Sequence, residues 1–190
     1  MAGRPRKIDR DKLLDAAEAL VLQAGAGALS FDAVAKAAGI TKGGVQYAFG
    51  TRDNLIRAMI TRWGGAFDAD VAERTGRDPS PKALIRGHLA ATRDADAADH
   101  SRSAAMMTAL LQHPDQLSET RDWYNSRLDG LDLAVPEDRQ LALAFLAGEG
   151  AFLLKALGLM AFSEAQWNAL FEEMLCVSAS GGSDAASTDE

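Results

Sequence analysis

Apolar residues recur along this chain at intervals of three and four, the spacing of one face of an α-helix, and no strand-like alternation stands out. The first such stretch starts at Asp9, where Leu13, Ala17, Leu20 and Val21 mark an amphipathic helix ending at Gly25 or Gly27. A shorter helix follows from Ser30, with Val34, Ala35 and Ala38 on its apolar face and Gly39 as its C-terminal cap. Ile40 is a buried spacer, and Thr41 caps a further helix carrying Lys42, Gly43, Gly44, Gln46 and Tyr47. Two short helices folded together by a tight turn are a helix-turn-helix, whose second helix lies in a DNA major groove. With the first helix they close a three-helix head, its core formed by Phe31, Val34, Ile40, Val45 and Phe49.

Gly50 and Thr51 end the recognition helix and cap a long connecting helix, along which Leu55, Ile56, Met59, Ile60, Trp63 and Phe67 recur as far as about Arg74. The run GRDPSP breaks it, with Ser80 as the next cap and Pro81 at the first helical position. Further helices are expected over 81–93, 101–112, 114–128, 136–159 and 163–177, the last opened by a capping box of Ser163 and Gln166. The polar, alanine-rich segment 93–102 is expected to be a linker or a frayed helix end. The fold class is therefore all-α, about nine helices. A flexible basic arm spans 1–8, the helix-turn-helix head 9–55, a helical body for ligand binding and dimerisation 56–177, and a disordered Gly, Ser and acidic tail 178–190.

A net charge of -7 does not by itself suggest a nucleic-acid binder, but it is unevenly spread. Residues 1–60 hold nine Lys and Arg against six Asp and Glu, whereas residues 61–190 hold eleven against twenty-one. A basic head on an acidic body presents one end to phosphates and is repelled by them at the other. One Cys excludes a disulfide scaffold and fits a reducing cytoplasm, and three dispersed His make no metal-ligand cluster, so neither metal nor cofactor is expected. The three His lack HExxH spacing, and neither GxSxG nor GxxxxGK[ST] is present, so no catalytic residues are assigned. Residues 141–162 are long and apolar enough to span a bilayer, but Glu149 and Lys155 fall near the centre, where each charge costs about 2.5–3.5 kcal/mol. A helix buried between protein partners explains the segment better.

The residues from AGITKGGVQYAF into GTRDNL also resemble the TetR/AcrR family of transcriptional regulators, through the alanine, the glycines, Lys42, Phe49, Arg52 in place of the usual lysine, and Leu55. The likeness is dense over residues 8–60. It implies that Arg52 contacts the DNA backbone, while Ala48 stands where many members carry a phosphate-binding His. Gln46 replaces a usual Tyr and can pair two-pronged with adenine. Lys42 and Gly43 open the recognition helix where free N–H groups favour a phosphate or base edge, and Gly43 and Gly44 either leave room for close approach or make a weakly formed helix that is ordered on binding. Tyr47 offers a hydroxyl to a phosphate and a ring to a thymine methyl. The helix caps Ser30 and Thr41 join this DNA-binding set. Arg4 and Arg6 of the arm either follow the phosphate backbone, enter a minor groove, or form a merely solvated tail.

The resemblance further implies a two-fold homodimer with a four-helix interface from the last two helices of each subunit. Ala147, Gly150, Ala151 and Leu154 from the first of these, and Trp167, Leu170, Phe171 and Met174 from the second, are the expected interface; a plain intrachain core is the alternative. Candidates for an adaptable apolar effector pocket are Trp63, Phe67, His88, Met106 and Met107, together with Leu110, Trp123, Phe145, Glu149 and Phe152, each of which can equally be core. Glu149 has no cationic neighbour at helical spacing, so it requires an Arg from elsewhere, a cationic ligand, or an interface role. The expected partners are double-stranded DNA with a palindromic operator, a second copy of the chain, and a small-molecule effector, with no membrane. The expected function is a ligand-responsive repressor; the competing reading is a protein that organises DNA or activates transcription without an effector.

Overall fold

The computed structural model describes residues 8–112 and 117–178. Among them the chain forms α1 (Arg10–Ala24), a 3-10 turn (Ala26–Ala28), α2 (Phe31–Ala38), α3 (Lys42–Phe49), α4 (Arg52–Thr75), α5 (Pro81–Arg93), α6 (Ala97–Gln112), α7 (Leu117–Ser126), α8 (Pro136–Ala156) and α9 (Glu164–Val177), with no strand. The boundaries follow from side chains that satisfy the orphan N–H groups of a first turn. Ser30 Oγ accepts from the Ala33 amide at 3.1 Å, Thr41 Oγ1 from Gly44 at 3.2 Å, and Ser80 Oγ from Ala83 at 3.1 Å. Ser163 and Gln166 close their reciprocal box at 3.2 and 2.9 Å. Gly39 ends α2 with φ 66° and ψ 33°, the left-handed conformation that favours glycine.

Two segments differ from expectation. Most of the stretch expected as a linker or a frayed helix end opens α6 instead, because Asp96 and Asp99 exchange hydrogen bonds, Asp99 N to Asp96 Oδ1 at 2.8 Å and Asp96 N to Asp99 Oδ2 at 3.0 Å, and alanine then carries the helix. The helix α8 stops at Ala156, short of the expected 159, with Leu157 as its C-terminal cap. No described helix is long and apolar enough to cross a membrane. The arm with Arg4 and Arg6, and the tail from 179, lie outside the described residues.

The chain divides into two compact units: residues up to Gly65 with Ser101–Leu117, and Ala66–His100 with the chain from Ser118 onward. In the first, Leu13, Ala17 and Val21 of α1 pack with Val34, Val45, Phe49, Leu55 and Met59, joined by Ala109 of α6. Each of the Leu, Val, Phe and Met side chains contributes about 1.5–3 kcal/mol by leaving water. Ile40, expected inside, is 38% exposed. It lies over Gly44, so the turn residue shields the helix rather than entering the core. Glu18 fastens α1 to α4 and α6. Burial pushes its carboxyl up, but hydrogen bonds from Trp63 and Arg102 and the charges of Arg102 and Arg62 outweigh that and hold it below the ordinary value. Arg102 Nε donates at 2.6 Å.

In the second unit α5, α8 and α9 pack around Ile85, Leu89, Leu141, Phe145, Trp167 and Phe171. Gly148 leaves room for Leu89 of α5, since a Cβ there would stand 2.6 Å from Leu89 Cδ2.

Candidate nucleic-acid interface and ligand site

The helix α3 turns two faces in different directions. Val45 and Phe49 are buried, whereas Lys42, Gly43, Gln46 and Tyr47 are exposed, Tyr47 to 86%. A large aromatic left in the open on an eight-residue helix is not there for the core. Ser30 and Thr41 serve as the N-caps of α2 and α3. Lys42 Nζ lies 2.7 Å from Asp32 Oδ2 of α2, both side chains more than half exposed. Such a pair is worth about 0–1 kcal/mol and can be exchanged for another anion.

The two glycines are not equivalent. A Cβ on Gly43 would meet only the Thr41 hydroxyl, at 4.0 Å, whereas one on Gly44 would meet Ile40 Cδ1 at 3.0 Å and Ile8 Cδ1 at 3.6 Å. The protein's own packing therefore accounts for Gly44 and leaves Gly43 without an internal reason. Arg52, expected on a phosphate, donates its Nε to the Leu29 carbonyl at 2.8 Å and so ties the start of α4 to the segment before α2.

The expected pocket residues separate. Trp63, Met106, Met107 and Leu110 belong to the first unit, where Trp63 and Met106 line a shallow open cleft with Val21, Ile56, Met59 and Ala109. The others belong to the second unit, where four of them meet around one imidazole. His88 is only 1% exposed. Its ring centroid is 4.9 Å from Phe145, 5.0 Å from Phe67 and 5.9 Å from Trp123, with the two Phe rings edge-on. His88 Nε2 lies 2.7 Å from Glu149 Oε1. The partner that Glu149 lacks at helical spacing is thus a histidine 61 residues away, not an arginine. Phe152 sits apart, stacked on His100 at 4.8 Å.

Three residues complete this site that sequence reasoning passed over. Tyr124 donates to Glu149, and burial together with the Glu149 charge and that hydrogen bond pushes the phenol well above its ordinary value, so it stays a donor. Asp68 accepts from Trp123 Nε1 at 3.0 Å and pairs with Arg127. The Arg127 guanidinium in turn covers the Trp123 ring at 4.2 Å. The adjacent Trp123 and Tyr124 were the available signal.

The expected interface residues also divide. Trp167 and Phe171 are core residues of the second unit, so a partner cannot reach them: Trp167 Nε1 donates to the Arg93 carbonyl at 2.7 Å and Phe171 packs beneath Gly148. Ala147, Leu154 and Leu170 are exposed, as are Leu143 and Leu146 at 64% and 56%. Gly150 has open space where a Cβ would stand, whereas Gly148 is the glycine that packing requires.

Two family profiles match the sequence. The profile of bacterial regulatory proteins of the tetR family covers residues 13–59, and that of the tetracyclin repressor-like C-terminal domain covers residues 82–178. Comparison with curated proteins finds no match. Among solved structures, a transcriptional regulator from Rhodococcus sp. RHA1 shares the fold at 20% identity and a TM-score of 0.68, covering 89% of this chain and 95% of its own. A regulator from Streptomyces coelicolor A3(2) does so at 18% identity and 0.67, covering 89% and 97%. The multidrug binding protein EbrR, solved with imidazole, is similar at 20% identity and 0.63, covering 88% and 95%; it has also been solved with ethidium.

Proposed function

We propose, for a chain that belongs to the TetR family of DNA-binding transcriptional regulators, a homodimeric repressor that reads a palindromic operator and is released by a small molecule. The observation that carries the DNA half is the face of α3, where Tyr47, Gln46 and Gly43 are exposed beside the Lys42 charge while Val45 and Phe49 hold the helix to its core. Gln46 reads an adenine edge, Tyr47 and Lys42 meet phosphates, Gly43 allows the backbone to come close, and Arg52 acts by placing the start of α4. Two such heads related by a dyad read half-sites about 34–36 Å apart.

The second copy docks on the apolar face of α8 and α9 bearing Leu143, Leu146, Leu154 and Leu170, because exposed leucines so concentrated mark an interaction surface. The effector is a small, mostly apolar molecule, cationic where it meets Glu149, held among Phe67, Trp123 and Phe145. The multidrug-binding relative solved with ethidium and with imidazole supports a small-molecule effector for this fold. The effector lowers operator affinity to the extent that it binds the released state more tightly. The protein acts in the cytoplasm, where the operator is.

Selection of bound sites from random duplex DNA at two salt concentrations, with Gln46→Ala alongside, tests this reading. A palindrome with half-sites one turn apart is expected, relaxed at one base position in the variant by about 1–3 kcal/mol of discrimination. Salt-sensitive, sequence-blind binding alone would replace it with a DNA-organising role.

A further inference from the structure

We infer that His88 is a built-in counter-group to Glu149, a proton-bearing stand-in that a cationic effector must replace, so that effector binding expels a proton and strengthens as pH rises. The inference rests on the cationic-effector reading above and adds the competitor. The imidazole is fully enclosed, its Nε2 is 2.7 Å from the carboxylate, and its Nδ1 is buried with no hydrogen-bond partner among the described residues. A buried polar atom left idle is destabilising, and an apolar side chain would fill the same space without it.

The pair has two charge states. With the imidazole neutral, Nε2–H donates to Glu149, the pair carries one negative charge, and Nδ1 is a bare acceptor. A cation with N–H donors answers both demands: its charge meets Glu149, an N–H meets Nδ1, and a flat apolar body meets Phe67, Trp123 and Phe145. With the imidazole protonated the pair is neutral, and Nδ1–H faces an incoming cation as a like charge. Proton and effector therefore exclude one another.

Among the described residues, no other group packed against His88 supplies the missing positive charge. From α4 comes Asp68, from α7 Arg127, and these two pair with each other. Tyr124 of α7 is held protonated beside Glu149 of α8. The Thr92 hydroxyl of α5 donates to the His88 carbonyl at 2.9 Å, and the carboxylates of α9, Glu164, Glu172 and Glu173, are exposed. Histidine is the side chain whose charge ordinarily changes between pH 5 and 8.

Calorimetric titration of the full chain with benzamidine, an aromatic N–H cation, and with neutral benzamide tests this at pH 5.5 and pH 8, in two buffers of different ionisation enthalpy. The expected result is tighter benzamidine binding at pH 8, approaching about tenfold per pH unit, the limit for one proton exchanged, with measurable proton release and no such trend for benzamide. His88→Gln keeps a donor for Glu149 but cannot be protonated, so its affinity should be the same at both pH values. Wild-type binding that is lost in Glu149→Gln yet shows neither pH dependence nor proton release overturns the role of His88 alone. Failure of benzamidine to bind, or undiminished binding to Glu149→Gln, overturns the cationic-effector reading and this inference with it. The wild-type measurement in two buffers requires no variant to fold.

Discussion

Replacing Gly43 with alanine should make the fold more stable and its grip on DNA weaker. The added methyl would meet nothing closer than the Thr41 hydroxyl at 4.0 Å, so the protein accepts it without rearrangement. Alanine in place of glycine favours a helix interior by about 1 kcal/mol. Gly43 is the second residue of α3, where the hydrogen-bond ladder is only beginning, so roughly half of that gain is expected, a rise in Tm of about 1–2 °C at this chain length. If the bare backbone at Gly43 is reserved for a phosphate or base edge, the same methyl holds DNA off and affinity falls about tenfold, or ~1.4 kcal/mol. Gly44→Ala is the control. Its methyl would stand 3.0 Å from Ile40 Cδ1, so Ile40 must give way and the helix gain is offset, leaving stability near wild type and DNA binding less affected than in Gly43→Ala. Thermal unfolding by circular dichroism and anisotropy titration of the selected duplex at fixed salt read the two effects separately. A Gly43→Ala protein that is stabilised and binds DNA as tightly as wild type would refute the reasoning.

Two further outcomes follow from the geometry. Leu146→Glu, placed on the exposed side of α8, should give a monomer in sedimentation with unchanged helicity and at least about tenfold weaker palindrome binding; an unchanged dimer would put the interface elsewhere. Glu18 lies below its ordinary carboxylate value in the folded state, so its contribution is fully present above about pH 4.5 and fades as pH falls through the lowered value. Urea unfolding of wild type and Glu18→Gln should accordingly show a stability gap at pH 7 that narrows towards pH 3, and a gap independent of pH would contradict it.

The starts of α2, α3, α5 and α9 were legible because they are written in local chemistry: Ser30, Thr41, Ser80 and Ser163 each cap within three residues of themselves. The start of α6 was missed for a related reason, since two aspartates three apart can cap one another as Ser and Gln do, and a run of Asp and Ala looks like a linker until they are seen to. The site in the second unit was half legible. Its aromatic residues and Glu149 could be picked out, but the pairing of His88 with Glu149 is made by tertiary packing across 61 positions, which no spacing announces. The two faces of α8 were the hardest. A helix apolar nearly all round has no moment to orient it, so which leucines are left for a partner and which glycine meets α5 had to come from the packing of α5, α8 and α9.

The Lys42–Asp32 pair bears on how the protein looks for its site. A lysine that already holds a carboxylate at 2.7 Å gains little from a passing phosphate, because one anion is merely exchanged for another and the displaced Asp32 is left near the negative backbone. Random duplex is then a poor resting place. On the proposed reading of α3, the exchange would become favourable only where Gln46 and Tyr47 also find their contacts, and the carboxylate would then shorten each futile landing on random duplex.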